Sequence, residues 1–147
     1  MSLNATIGIC GMMCGVVGVL AFSAGYSRAE NQKESRVYEL RTYTTEPGRL
    51  PALNARFKNH TLRLFEKHGM KNGMYWIPTD EKLKDTTLIY FVSHASMDAA
   101  KKSWDDFRND PEWKAVAEAS EKDGKILAKR PEAVYMTLTD YSPPDKN

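Results

Sequence analysis

Val37 to Thr45 (VYELRTYTT) is rich in β-branched and aromatic side chains, which predicts a strand whose side chains alternate between two faces. The alternation places Val37, Glu39, Arg41 and Tyr43 on one face and Tyr38, Leu40 and Thr42 on the other. Glu46-Pro47-Gly48 is turn chemistry. From about Arg49 to His68 the period lengthens: Leu50, Leu53, Phe57, Leu64 and Phe65, with Thr61 between, form one helical stripe. Gly69, directly after His68, is the expected left-handed helix stop.

Asn72 to Thr79 (NGMYWIPT) predicts a second strand ended by Pro78, and Asp80 to Asp85 a charged hairpin loop. Thr86 to His94 (TTLIYFVSH) is the strongest strand signal, and its continuous apolar run predicts burial on both faces. Ser96 caps a helix from Met97 to about Asn109. Asp110, with Pro111 behind it at a first helical position, starts a further helix that carries Trp113, Val116 and Ala117 toward Gly124. Glu132 to Asp140 (EAVYMTLTD) predicts the last strand.

The order β-α-β-β-α-β implies an α+β, ferredoxin-like fold: a four-stranded antiparallel sheet with its helices on one face. Helices on one face leave the other bare, although the middle strands look apolar on both. The simplest cover is the same face of a second copy, so a homodimer through the open sheet face is expected.

The first 29 residues differ from the rest. Ile7 to Gly25 holds no charged side chain, and Ser27-Arg28-Ala29 supplies small residues at the two positions that a signal peptidase reads. Residues 1–29 are therefore expected to be a signal peptide, although no Lys or Arg precedes the apolar run. The alternative is an uncleaved N-terminal membrane anchor, since about 19 apolar residues can just span a bilayer. Residues 30–36 then read as a linker, 37–141 as the folded domain and 142–147 (SPPDKN) as a disordered tail. Cys10 and Cys14, the chain's two cysteines, both fall in the leader, so the domain has neither disulfide nor thiol chemistry. Export without disulfides points to a bacterial envelope protein, periplasmic or secreted. Overall, 41% hydrophobic and 27% charged residues describe an ordinary folded chain, and a net charge of +2 is too small for a nucleic-acid partner.

Tyr38-Glu39-Leu40-Arg41-Thr42-Tyr43, Pro47-Gly48, His68-Gly69, Trp76 and the turn Asp110-Pro111-Glu112-Trp113 together resemble the NIPSNAP family over about residues 37–140. The resemblance implies the dimeric α/β-barrel superfamily, in agreement with the fold read from the pattern. It implies no catalytic residues, because that superfamily spans cofactor-free monooxygenases, haem-degrading proteins, peroxidases and pure binding modules, and a shared fold is a poor guide to chemistry. The leader departs from the eukaryotic members, which are associated with mitochondria and membrane traffic.

The candidate ligand-pocket residues are Glu39, Arg41, Tyr43, His68 and Trp76. Glu39 and Arg41 share a strand face, where Arg41 suits a carboxylate or polarised oxygen and the plainer role is a structural ion pair. His68 ends a helix, where it serves as an acid or base beside a pocket or simply caps the last carbonyls. The aromatic set, Tyr43, Tyr75, Trp76, Tyr90, Trp104 and Trp113, suits either a pocket lining or an ordinary core. No metal is expected: His60 and His68 lack the i, i+4 spacing of a ligand pair, and His94 stands alone. No cofactor is expected either, since nothing in the sequence specifically requires haem.

With no complete catalytic constellation, the expected function is a homodimeric binding module for a small apolar or aromatic ligand. A cofactor-independent oxygenase or isomerase acting on a small aromatic or quinol-type substrate is the alternative, and an envelope scaffold a third reading. A membrane partner enters only through an uncleaved leader.

Overall fold

A computed structural model describes residues 36–143. The proposed leader, most of the linker and the end of the tail lie outside the described residues. No described helix is long and apolar enough to cross a membrane. The elements run β1 (Val37–Thr44), α1 (Leu50–Arg56), a π-helical turn (Phe57–Thr61), α2 (Leu62–Lys67), β2 (Lys71–Trp76), β3 (Thr87–His94), α3 (Met97–Asn109), α4 (Pro111–Ser120) and β4 (Glu132–Met136). The strands form one antiparallel sheet in the order β2-β3-β1-β4. This is the ferredoxin-like α+β fold, with β1 and β3 at the centre.

Register explains the core. β1 pairs with β3 so that Glu39 faces Val92, Arg41 faces Tyr90 and Tyr43 faces Leu88. Directly paired residues share a sheet face, and this face meets the helices. There Tyr43, Tyr90 and Val92 join Leu53, Phe57, Leu64, Phe65, Trp104 and Phe107 in one buried cluster. Phe57 and Phe65 bring the π turn and α2 onto the sheet, with ring centroids 5.1 and 6.0 Å from Tyr90. The helix predicted from Arg49 to His68 is thus a single run of helical backbone with one π turn inside it. Thr61 Oγ1 donates to the Arg56 carbonyl at 3.2 Å, a local bond that compensates the disturbed i to i−4 ladder. Gly69 stops the run with φ 77°, a conformation that favours glycine.

Two strands end earlier than their sequence patterns suggest. β2 stops at Trp76 instead of Thr79, because Pro78 offers no N–H to a ladder. β4 stops at Met136 instead of Asp140, because Met136 pairs with Tyr38, next to the start of β1 at Val37, and there is little strand left to pair with. Every residue of β4 is exposed, on both faces. On β3 the face turned from the helices is half covered: Thr87 and Ser93 are buried, while Ile89 and Phe91 are only partly so. That open face also carries exposed Met74, Trp76, Val134 and Met136.

The motif Asp110-Pro111-Glu112-Trp113 acts as a clamp. Asp110 caps α4 by accepting from the Glu112 backbone N–H at 2.7 Å. Its Oδ2 also takes Lys67 Nζ at 2.6 Å and His68 Nε2 at 2.7 Å, tying the end of α2 to the α3–α4 corner. Lys67 first and His68 second hold the Asp110 carboxyl well below the usual range. Trp113 packs on Phe107 with centroids 4.4 Å apart.

Candidate functional site

Glu39 is the centre of the most unusual polar cluster in the domain. Strand alternation turns its carboxylate into the apolar layer, where it is fully buried. Burying a charge is costly unless it is paired and hydrogen-bonded, and Glu39 collects three donors. Arg41 Nη1 donates to Oε1 at 2.6 Å, from two residues along the same face. Trp104 Nε1 donates to Oε2 at 2.5 Å, from the buried stripe of α3. His94 Nε2 lies 3.0 Å from Oε2, brought there by the final residue of β3. Burial pushes the Glu39 carboxyl up, but His94, Trp104 and Arg41 together outweigh it and leave it below its ordinary value.

Arg41 is held by more than its carboxylate. Its guanidinium carbon sits 4.2 Å from the Trp104 ring centroid and 5.5 Å from that of Tyr43. Such stacking suits the planar guanidinium. The Tyr43 hydroxyl in turn accepts from Tyr90 Oη at 3.2 Å, and burial drives the Tyr90 phenol well above its ordinary value. Two buried nitrogens of the cluster have no partner: Arg41 Nε and His94 Nδ1.

β4 bounds one flank. Its residues Tyr135 and Ala133 pair with Glu39 and Arg41, so they share the helix-facing side. Both are exposed. Burial first, and Glu39 second, raise the Tyr135 phenol, with Arg41 opposing. The cluster therefore combines a buried carboxylate–histidine pair, a stacked guanidinium with an unused donor and a tyrosine at the solvent edge. It can neutralise and orient an oxygen-bearing group.

Of the residues that the sequence offered, Glu39, Arg41 and Tyr43 come together. His68 and Trp76 do not. His68 caps α2 and bonds Asp110, with Phe107 against its ring at 6.3 Å. Trp76 lies 43% exposed on the open sheet face, tilted against Phe91 at 6.0 Å. In their place the fold supplies His94, Trp104 and Tyr135. Among the described residues, no group of three or more His, Cys, Asp or Glu side chains is placed to hold a metal ion.

Comparisons with known proteins agree with this architecture. A NIPSNAP-like domain protein from Burkholderia xenovorans superposes with a TM-score of 0.63 at 14% identity, over 76% of this chain and 91% of that one. A monooxygenase of Streptomyces coelicolor, solved in complex with nanaomycin D, gives 0.53 at 18% identity over 77% and 96%. A cofactor-independent oxygenase of Streptomyces nogalater gives 0.51 at 14% over 75% and 99%. A search of curated proteins returned no match. The NIPSNAP family profile matches residues 38–143, which takes in the Glu39–Arg41–Tyr43 strand, the Asp110 clamp and β4. On that match, spanning most of its length, the chain belongs to the NIPSNAP family.

Proposed function

We propose that the protein is an exported, homodimeric binding module that receives a small apolar or aromatic ligand, with Arg41 holding its carboxylate or polarised oxygen. The observation that carries this reading is the stacked, ion-paired guanidinium of Arg41, whose Nε has no partner while the neighbouring strand β4 is exposed. A donor in such a position gains by bonding a ligand oxygen, because an unmade buried hydrogen bond costs about 1–3 kcal/mol. The apolar open face of the sheet supports the dimer, and the composition of residues 1–29 supports export. Thermal-shift screening of the chain against aromatic and aliphatic carboxylic acids tests the reading. Ligands that raise the melting temperature of the wild type and fail to raise that of Arg41→Met support it. A shift that survives Arg41→Met in a chain whose groove between α1 and α4 is filled by Ala115→Phe rejects the assignment of Arg41.

A second reading is a cofactor-independent oxygenase or isomerase acting on a small aromatic or quinol-type substrate. It is favoured by the His94–Glu39 pair, in which the carboxylate engages Nε2 while Nδ1 has no partner. The structural likeness to two oxygenases agrees with it. Oxygen consumption with a dihydroxynaphthalene, lost in His94→Ala, is the expected signature. Turnover unchanged in that variant excludes His94 as the base.

A further inference from the structure

We propose that the groove between α1 and α4, on the outer side of the helical layer, binds a small organic anion with an apolar tail, and that Arg56 holds its carboxylate. The groove encloses about 540 Å³, within the size range of small-molecule sites. Four alanines line its apolar part, with Val116: Ala52 and Ala55 on the α1 side, Ala115 and Ala119 on α4. Short side chains facing each other leave the space open and apolar.

Arg56 supplies the second, independent observation. It also lines the groove, at the last residue of α1, yet its side chain is only 5% exposed. A buried arginine ordinarily faces a carboxylate in bidentate contact. Arg56 has none. Its Nη1 donates to a neutral hydroxyl, Ser120 Oγ, at 3.3 Å, and its Nε has no partner. The nearest carboxylate oxygen, on Glu121, is 4.0 Å away on a side chain that is 40% exposed. The Trp113 ring supports the guanidinium at 5.3 Å. Burial lowers the pKa of Arg56, as expected of a cation whose surroundings do not repay its lost hydration.

The backbone fits this reading. The π turn begins at Phe57, directly after Arg56, and such turns occur frequently at functional sites. Asn59 and His60, both exposed on that turn, stand at the groove as further polar contacts. Of the two acids that line it, Glu112 is already paired with Arg63, and Asp123 is exposed to solvent. An apolar tail on the alanine walls with its carboxylate on Arg56 satisfies both halves of the site. Inorganic phosphate, which has no tail, satisfies only one.

Titration calorimetry on the full chain with octanoate, 1-octanol and inorganic phosphate tests the proposal. Octanoate should bind saturably and about tenfold or more tighter than octanol, the worth of one bond to a charged group. Phosphate should bind more weakly than octanoate. Arg56→Gln should bring octanoate and octanol to similar affinity. Because that substitution is buried and can cost stability, Ala115→Phe provides an independent check. Ala115 is exposed, so a ring there fills the groove without entering the core, and octanoate affinity should fall about tenfold with the melting temperature of the free protein preserved. No saturable octanoate binding at millimolar concentration overturns the proposal. So does equal affinity for octanoate and octanol in the wild type, phosphate binding as tight as octanoate, or octanoate binding that Ala115→Phe leaves intact.

Discussion

The indole N–H of Trp104 donates to the fully buried carboxylate of Glu39 at 2.5 Å, fastening α3 to the central strand of the sheet. The same carboxylate anchors Arg41, and the Trp104 ring lies beneath that guanidinium. One tryptophan thus serves the acid through its edge and the base through its face. Trp104→Phe keeps most of the apolar area but deletes the donor and shrinks the stacking surface. The expected cost is about 1–3 kcal/mol, read as a lower urea midpoint with unchanged slope. Glu39→Ala is expected to cost more, about 3–5 kcal/mol, because it strands Arg41 without its counterion. Equal midpoints for wild type and Trp104→Phe would show that the bond contributes nothing.

The depressed pKa of Glu39 fixes the sign of an acid response. A carboxyl whose folded pKa lies below its ordinary 4.5 contributes stability that is present above that value. The contribution is lost as pH falls through the lower, folded-state pKa. Asp110, also depressed, acts in the same direction. Stability should therefore vary little from these two groups between pH 7 and 5, then decline below about 4.5. Glu39→Gln lowers stability at neutral pH but removes its share of that decline, leaving the part due to Asp110. Urea midpoints measured from pH 7 to 3 decide it: parallel curves for wild type and Glu39→Gln would be incompatible with a depressed Glu39.

Gly73 lies directly against the ring of Phe91. A Cβ there would lie 2.2 Å from the Phe91 ring, beside the shifted register between Asn72 and Tyr75. Gly73→Ala is expected to destabilise by about 1–3 kcal/mol through overpacking. Phe91→Leu, made in the same chain, should recover part of this loss, so the two changes are non-additive in a double-mutant cycle. Additive effects would show that the ring is not what excludes the side chain.

Alternation along residues 37–45 was enough to place Glu39, Arg41 and Tyr43 on one face, though not to say that it turns inward, and the Asp-Pro pair at 110–111 was enough to start α4. Both are local signals. The partners of Glu39 were not legible in the same way. His94 ends β3, and its approach to Glu39 depends on pairing across 55 residues, while Trp104 arrives from a separate helix 65 residues away. In sequence, Trp104 has the spacing of any core aromatic. His68 and Trp76 carried the opposite signal: a histidine at a helix end and a tryptophan in a strand look suited to a pocket. Only the tertiary arrangement sends one to Asp110 and the other to the open face. The π turn was invisible because its apolar positions keep near-helical spacing, and Arg56's want of a close carboxylate shows only when its neighbours are known.

The open sheet face yields the last prediction. Trp76 and Val134, at opposite ends of the strand order, are 43% and 55% exposed, and Tyr38, Leu40, Ile89 and Phe91 lie between them only partly covered. A contiguous apolar patch of this kind marks an interaction surface. The proposed occupant is the same face of a second copy, which makes a two-fold, self-complementary contact. Each substitution then appears twice in the interface. Val134→Glu and Trp76→Glu should each turn a dimer into a monomer in sedimentation equilibrium at about 20 micromolar, with unchanged far-ultraviolet circular dichroism. Val134 is more than half in water within a single chain, so a fold defect there is not expected to confuse the result, and Trp76→Glu is the second check. Wild-type protein that sediments as a monomer at that concentration would contradict the proposed dimer. A dimer that tolerates both charges would move the interface to another surface.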